Sequence, residues 1–195
     1  FILCSPHNPV GRVWTYQELT QMMEICRENH VFVFADEIHA DLIMKNVSFY
    51  SVGHIDWIHE RCIMAHAPSK TFNLAGLTAS LLTVPNAENR KRLSERLYDI
   101  NRIPRSNDFG PLAGAAAYSC CDDYAAEVSA YIDANMEYAS AYLKENLPKV
   151  KMRKPEGTYL SWFDFRRLEL PKEEVYRRVL EEAQVVGDLG DWFGP

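Results

Sequence analysis

Five consecutive apolar residues, Val31-Phe32-Val33-Phe34-Ala35, run directly into the charged turn Asp36-Glu37-Ile38-His39. β-branched and aromatic side chains without a polar interruption suit a strand covered on both faces, the usual state of a strand inside a parallel sheet. Parallel strands need long, usually helical, crossovers, so this run predicts that strands and helices alternate around it. The flanking segments agree. Thr15-Tyr16-Gln17-Glu18 has the form of a capping box, and Leu19, Met22, Met23 and Cys26 follow at helical spacing, predicting a helix over 15–29. Phe1-Ile2-Leu3-Cys4 reads as a strand, Cys62-Ile63-Met64-Ala65 and 79–84 as two more, and 86–101 as a helix with Leu93, Leu97 and Ile100 on one face.

The second half changes character. Ala125, Val128, Ile132, Met136, Ala139 and Leu143 recur at three- and four-residue steps, predicting a helix over 123–146 that Pro148 ends. Strand-like segments at 150–153 and 159–164 follow, then a helix over 171–183 with Val175, Val179 and Leu180 inward, then a short Val185-Val186 run. This order is that of a small α+β unit, and the expected division is 1–118 and 119–195, with the boundary near 110–125. The chain begins without Met inside a strand and stops at Phe193-Gly194-Pro195, as an internal piece of a longer protein would.

Composition narrows the function. With 195 residues and 47% hydrophobic content the chain can bury a real core. A formal net charge of -6 argues against a nucleic-acid surface, which needs a clustered basic face. Cys4, Cys26, Cys62, Cys120 and Cys121 form no C-x-x-C pair, which suits a reducing cytoplasm. No apolar run reaches membrane-spanning length and no segment resembles a signal peptide. A small-molecule substrate, with no nucleic acid, membrane or metal partner, is the expectation.

Ligands of open α/β sheets gather beyond the carboxyl ends of the strands. Three segments fall there: Ser5-Pro6-His7-Asn8-Pro9-Val10-Gly11, Asp36-Glu37-Ile38-His39, and Ser69-Lys70 in the loop after the third strand. Singly, each has an ordinary reading: a solvated loop lysine, a helix cap or turn aspartate, a proline turn, a hydrogen-bonded structural histidine. His54, His59 and His66 show no metal-ligand spacing. Cys120-Cys121 reads as helix packing, and Tyr16, Tyr98, Tyr131, Tyr138 and Tyr142 as core or interface filling.

Asn8-Pro9-x-Gly11, Asp36-Glu37 and Ser69-Lys70, in that order, and then Pro155-Glu156-Gly157-Thr158-Tyr159 and Trp192-Phe193-Gly194, resemble the fold-type I pyridoxal-phosphate enzymes of the class I/II aminotransferase superfamily. The resemblance implies the α/β aminotransferase-like fold: part of a large mixed, mainly parallel sheet domain plus most of a truncated small C-terminal α+β domain. It implies that Lys70 is catalytic, holding pyridoxal 5'-phosphate as a Schiff base and shuttling protons at the substrate Cα. It implies also that Asp36 pairs with the pyridine nitrogen, that Asn8 bonds the phenolic oxygen, and that Ser69 contacts the phosphate.

The subfamily is similar to the MalY/PatB group of cystathionine and cysteine-S-conjugate β-lyases. His39 stands where many aminotransferases have Tyr, which implies that it binds the cofactor near its oxygen, and Thr78, which cannot supply a cation, stands where they have the phosphate-binding Arg. The implied reaction yields a thiol, pyruvate and ammonia. An aminotransferase, or a cofactor-binding regulatory protein with little turnover, shares the same residues. The acidic turn also resembles the carboxylate box of an ATP-driven helicase, but no G-x-x-x-x-G-K-[ST] loop is present in the sequence. By resemblance, the stretch Arg102-Ile103-Pro104-Arg105-Ser106-Asn107 reaches toward a neighbouring subunit, so the full-length protein is expected to be a homodimer. The family's upstream phosphate loop and downstream carboxylate-binding arginine are not in the sequence, so the isolated piece is expected to be inactive.

Overall fold

The computed structural model describes residues 1–102 and 107–194, so the interior of the expected subunit-facing stretch lies outside the described residues. β1 (Ile2–Cys4) leads to α1 (Tyr16–Glu28) and then β2 (Val33–Asp36). The capping box forms: Glu18 N–H donates to Thr15 Oγ1 at 3.2 Å, and Thr15 N–H donates to the Glu18 carboxylate at 2.9 Å. Donors that the first helical turn leaves free are thereby satisfied, which fixes where α1 starts. Two short 3-10 turns, Val52–His54 and Asp56–Arg61, precede β3 (Cys62–His66), which is followed by the one-turn helix α2 (Pro68–Thr71) and by β4 (Leu81–Thr83). α3 (Ala87–Ser94) continues through a wider π turn to Ile100. Then come α4 (Phe109–Cys120), α5 (Asp122–Asn146), β5 (Lys151–Arg153), β6 (Trp162–Asp164) and α6 (Lys172–Arg177).

The first four strands form one sheet in the order β1-β2-β3-β4, with β1, β2 and β3 parallel and β4 antiparallel to β3. β5 and β6 pair separately and antiparallel. Leu19, Met23 and Cys26 of α1 pack with Leu3, Val33, Ala35 and Met64 of the sheet and with Val52, Ile55 and Ile58 beside them. Each large side chain so buried stabilises the fold by about 1.5–3 kcal/mol relative to exposure. The expected double coverage of the central strand holds on this face only. Val33 and Ala35 are fully buried, but Phe32 is 39% exposed. On that other side Phe32 and Ile63 line an open groove of about 520 Å³ with Arg92, Leu93, Arg96 and Ile100, because α3 and its π turn border that face without closing over it.

Several expectations need correction. α4 was not foreseen, and Lys70 sits on α2 rather than in a loop. Cys120 ends α4 and is exposed, and the half-buried Cys121 is the break between α4 and α5, so the pair does not lie inside one packed helix. α5 turns its predicted apolar stripe inward, with Met136 buried and the rest of the stripe half-buried, but Tyr131, Tyr138 and Tyr142 stand exposed on its surface. Val185-Val186 forms no strand, and Val186 is 90% exposed. α6 gives way at Arg178 to a π turn, which leaves Leu180 outward. Among the described residues no helix is long and apolar enough to cross a membrane, and no group of His, Cys, Asp and Glu is placed to hold a metal ion.

Candidate active site

The parallel pairing sets the site. Cys4 lies opposite Asp36, and Asp36 opposite Ala65, so β1, β2 and β3 end level with one another. Ser5 N–H donates to Asp36 O and Glu37 N–H to Ala65 O, each at 3.0 Å, carrying the pairing one step past the strands. The three motif segments therefore leave the sheet side by side, as the sequence predicts.

The first loop folds tightly on itself. Gly11 N–H donates to His7 O, and His7 N–H to Arg12 O, each at 2.7 Å, with Gly11 at φ +71, where glycine is the unstrained choice. Asn8 is exposed, and its N–H reaches Cys4 Sγ at 3.4 Å. The segment 155–158 is wedged beside this loop. Glu156 N–H and Gly157 N–H both donate to Gly11 O, at 2.7 and 3.1 Å, and the Glu156 carboxylate accepts from Val13 N–H at 2.8 Å. On its other side the wedge meets the turn after β2, where Met44 N–H donates to Glu156 O at 3.0 Å and Thr158 N–H to Leu42 O at 2.8 Å. A Cβ on Gly157 would fall 2.9 Å from the Pro6 ring, so the close approach requires glycine.

Adjacent carboxylates do different work. The Asp36 carboxylate accepts one long bond, from Ile38 N–H at 3.3 Å, and is half-buried. Glu37 is buried and accepts from the Ser51 hydroxyl at 2.7 Å and Val52 N–H at 2.8 Å, with His66 Nε2 at 3.4 Å. Burial raises its pKa above the ordinary carboxylate value despite those bonds. Glu37 thus anchors the loop beside the core and leaves Asp36 for the strand ends. His54 and His59 approach backbone carbonyls, at Ser51 and Gly53.

His39 is buried, its Nδ1 3.0 Å from Thr158 Oγ1 and its ring edge-on to Tyr159 with centroids 5.6 Å apart. It bonds neither Glu37 nor Asp41, the partners a purely local reading would give it. Its Nε2 is buried without a hydrogen-bond partner. Burial, reinforced by the positive charge of Lys70, holds its pKa below the ordinary histidine value against the opposing pull of Asp36. These charges place Lys70 and Asp36 within electrostatic reach of one imidazole.

Lys70 is half-buried on α2 and makes no hydrogen bond or ion pair among the described residues; nor does the Ser69 hydroxyl. Its neighbours are held firmly instead. Thr71 donates its hydroxyl to Asp41 Oδ2 at 3.0 Å, and the Tyr118 hydroxyl donates to the same oxygen at 3.2 Å. The Phe72 ring packs edge-on against Tyr118 and face-on against Tyr124. Gly114 lets α4 press on α2, since a Cβ there would be 3.2 Å from Pro68 Cγ. Thr78, at φ +48, supplies no cation; its hydroxyl accepts from the Asn107 amide at 3.3 Å.

Lys70, Ser69, Asp36 and His39 thus gather beyond the strand ends, with Asn8 on the exposed rim. Two further buried polar atoms there lack hydrogen-bond partners, Ser5 Oγ and His7 Nδ1. Unforeseen in the sequence are the hydroxyl of Thr158 against His39 and the Asp41–Tyr118 pair that holds Thr71, the residue after Lys70. The partners lie 119 and 77 residues apart, and no local spacing signals them.

The model of the aminotransferase class I and II family matches residues 1–190. Cystathionine beta-lyase PatB of Bacillus subtilis is 40% identical over all of the chain and half of its own length, and protein MalY of Escherichia coli 27% identical over 99% of the chain and 49% of its own. The crystal structure of cystalysin from Treponema denticola, which contains pyridoxal 5'-phosphate, superposes with a TM-score of 0.94 at 33% identity, covering 99% of this chain and 49% of that one. The chain spans about half the length of the curated relatives it matches. With its matched span, its sheet order and its strand-end motifs in agreement, the chain belongs to the aminotransferase class I and II family.

Proposed function

We propose that the full-length protein is a pyridoxal 5'-phosphate-dependent carbon–sulfur β-lyase, which with water converts cystathionine or a related cysteine S-conjugate into a thiol, pyruvate and ammonia. One observation carries the reading: an unpaired lysine and a sparsely bonded aspartate share the strand ends with three buried polar atoms that lack partners, Ser5 Oγ, His7 Nδ1 and His39 Nε2. Buried polar groups are costly without partners, so a polar aromatic ligand with an anionic group fits this donor and acceptor set. The lyase activity named for the Bacillus relative favours elimination over transamination.

When bound, the cofactor supplies an aldehyde for amines and a ring that spreads negative charge from the substrate Cα. Lys70 Nζ would hold the group through its aldehyde and is the base placed to take the substrate Cα proton. The Asp36 carboxylate would pair with the ring nitrogen and favour its protonated form. The Asn8 amide and His39 would donate to the phenolic oxygen, and the Ser69 hydroxyl to the phosphate. We place the enzyme in the cytoplasm as a homodimer; full activity in a sedimenting monomer contradicts that assembly.

The test assays the full-length protein with cystathionine for pyruvate, and in parallel with a 2-oxoacid acceptor. Pyruvate release without amino transfer is expected, and Lys70→Ala removes both turnover and the visible absorbance of the lysine-bound cofactor. Transfer without pyruvate makes the protein an aminotransferase, and absorbance without either makes it a cofactor-binding regulator. These 195 residues alone carry half of the relatives' length and are expected to be inactive; turnover by them refutes that expectation.

A further inference from the structure

Thr158 has an uncomfortable backbone. It is β-branched, wholly buried and at φ +63, a left-handed conformation that such residues seldom adopt. Glycine or asparagine would make this turn with less strain. Strained residues persist where their surroundings hold them, and they cluster at functional sites. Two contacts hold this one: its N–H on Leu42 O at 2.8 Å, and its Oγ1 on His39 Nδ1 at 3.0 Å. Leu42 N–H in turn donates to His39 O at 3.0 Å, so three residues close a hydrogen-bonded ring around the imidazole.

A neutral imidazole carries one donor and one acceptor, and the bond at one nitrogen decides the other. Burial and the Lys70 charge favour the neutral ring. The Thr158 hydroxyl can donate or accept, so the ligand selects between the tautomers. An anionic oxygen facing Nε2 requires the proton there, leaving Nδ1 to accept from Thr158; the opposite tautomer would set a lone pair against the oxygen.

Resting on the function proposed above, we infer that Thr158 is the positioning residue for His39, its hydroxyl donating to Nδ1 so that Nε2–H is held ready for the phenolic oxygen of the lysine-bound cofactor. Residues 155–158 thereby act on the cofactor's electronics without touching it. A donor on the phenolic oxygen draws its charge away from the neighbouring protonated lysine–cofactor nitrogen, which then loses its proton at lower pH. Loss of the Thr158 hydroxyl has the reverse effect.

The experiment titrates the visible absorbance of the full-length holoenzyme with pH. Thr158→Val keeps the shape and the β-branched backbone strain, and its midpoint is expected about 0.5–1 pH unit above wild type, the size of one ordinary hydrogen bond. Thr158→Ser restores the hydroxyl and is expected within about 0.2 unit of wild type. The charged groups that His39 feels, Lys70 and Asp36, and the Tyr159 ring at its edge remain in both variants. Nitrogen-15 NMR of His39, assigned by its loss in His39→Asn, is expected to show the Nε2–H tautomer in wild-type holoenzyme. A wild-type holoenzyme whose His39 carries its proton on Nδ1 overturns the inference without any variant, and so does a Thr158→Val midpoint equal to wild type. Wild-type protein that develops no visible band with pyridoxal 5'-phosphate overturns the proposed function itself.

Discussion

Replacing Gly11 by alanine tests the wedge that joins the first motif loop to residues 155–158. A Cβ at Gly11 would lie 2.3 Å from Pro155 Cβ and 2.9 Å from Pro155 Cα, against an ordinary carbon–carbon contact of about 3.5–4.0 Å. The obstacle is a proline ring and backbone, so no side chain can swing aside. Relief therefore requires the two segments to separate by about 1 Å. That movement breaks or stretches the bonds from Glu156 N–H and Gly157 N–H to Gly11 O, together about 1–3 kcal/mol. Alanine at φ +71 adds about 1–2 kcal/mol. The expected loss is about 2–5 kcal/mol, large for a one-carbon change. Gly76→Ala is the control, because a Cβ there meets nothing within 4 Å, and it should stay within about 0.5 kcal/mol of wild type. Urea unfolding of the full-length protein, followed by tryptophan fluorescence, measures both, with cofactor retention read at each step. If Gly11→Ala unfolds at the Gly76→Ala midpoint, the wedge does not hold the loop and the reasoning fails.

The remaining predictions concern titration. His39 has its folded pKa below the ordinary value of 6.5, so the unfolded chain binds more protons, and neutral His39 contributes stability that is present above pH 6.5 and lost as pH falls through and below it. His39→Gln should flatten the stability–pH curve of the full-length apoprotein between about pH 7.5 and 5.5; an unchanged slope removes His39 as its cause. Burial, with the Glu37 charge adding to it, pushes the Cys62 thiol up to about 11, whereas Cys120 is exposed. Native iodoacetamide labelling at pH 8 should therefore modify Cys120 at least about tenfold faster than Cys62, as peptide mass spectrometry will report.

The sheet was legible because β2 declares itself: Val33 and Ala35 alternate with Phe34, and the run stops at a charge. Its second face was not, because whether Phe32 is covered depends on where α3 lies, and a continuous apolar run reads the same either way. α4 escaped notice for a related reason. Phe109-Gly110-Pro111-Leu112-Ala113-Gly114-Ala115-Ala116-Ala117 has two glycines, an early proline and no polar face, so its alanines permit a helix but no helical periodicity marks one. Its small residues serve the packing on Pro68, information held in a partner rather than in the helix. The placement of Lys70, Asp36 and Asn8 could be read, because each sits in a short motif at a strand end. Thr158 could not be assigned a role, since its partner is joined to it only by the finished fold.

The wedge also has a consequence for synthesis. Gly11 and Val13 leave the ribosome well before their partners, since the Glu156 groups that bind them follow 143 residues after Val13. At about 5–20 residues per second, that interval is roughly 7–30 s. The strands can pair and α1 can dock within it, whereas the walls of the candidate site stay apart. Until residue 158 emerges, a nascent chain holds the lysine and the aspartate without the segment that ties the Asn8 loop to the turn after β2, so that side of the candidate site closes only after the strands have formed.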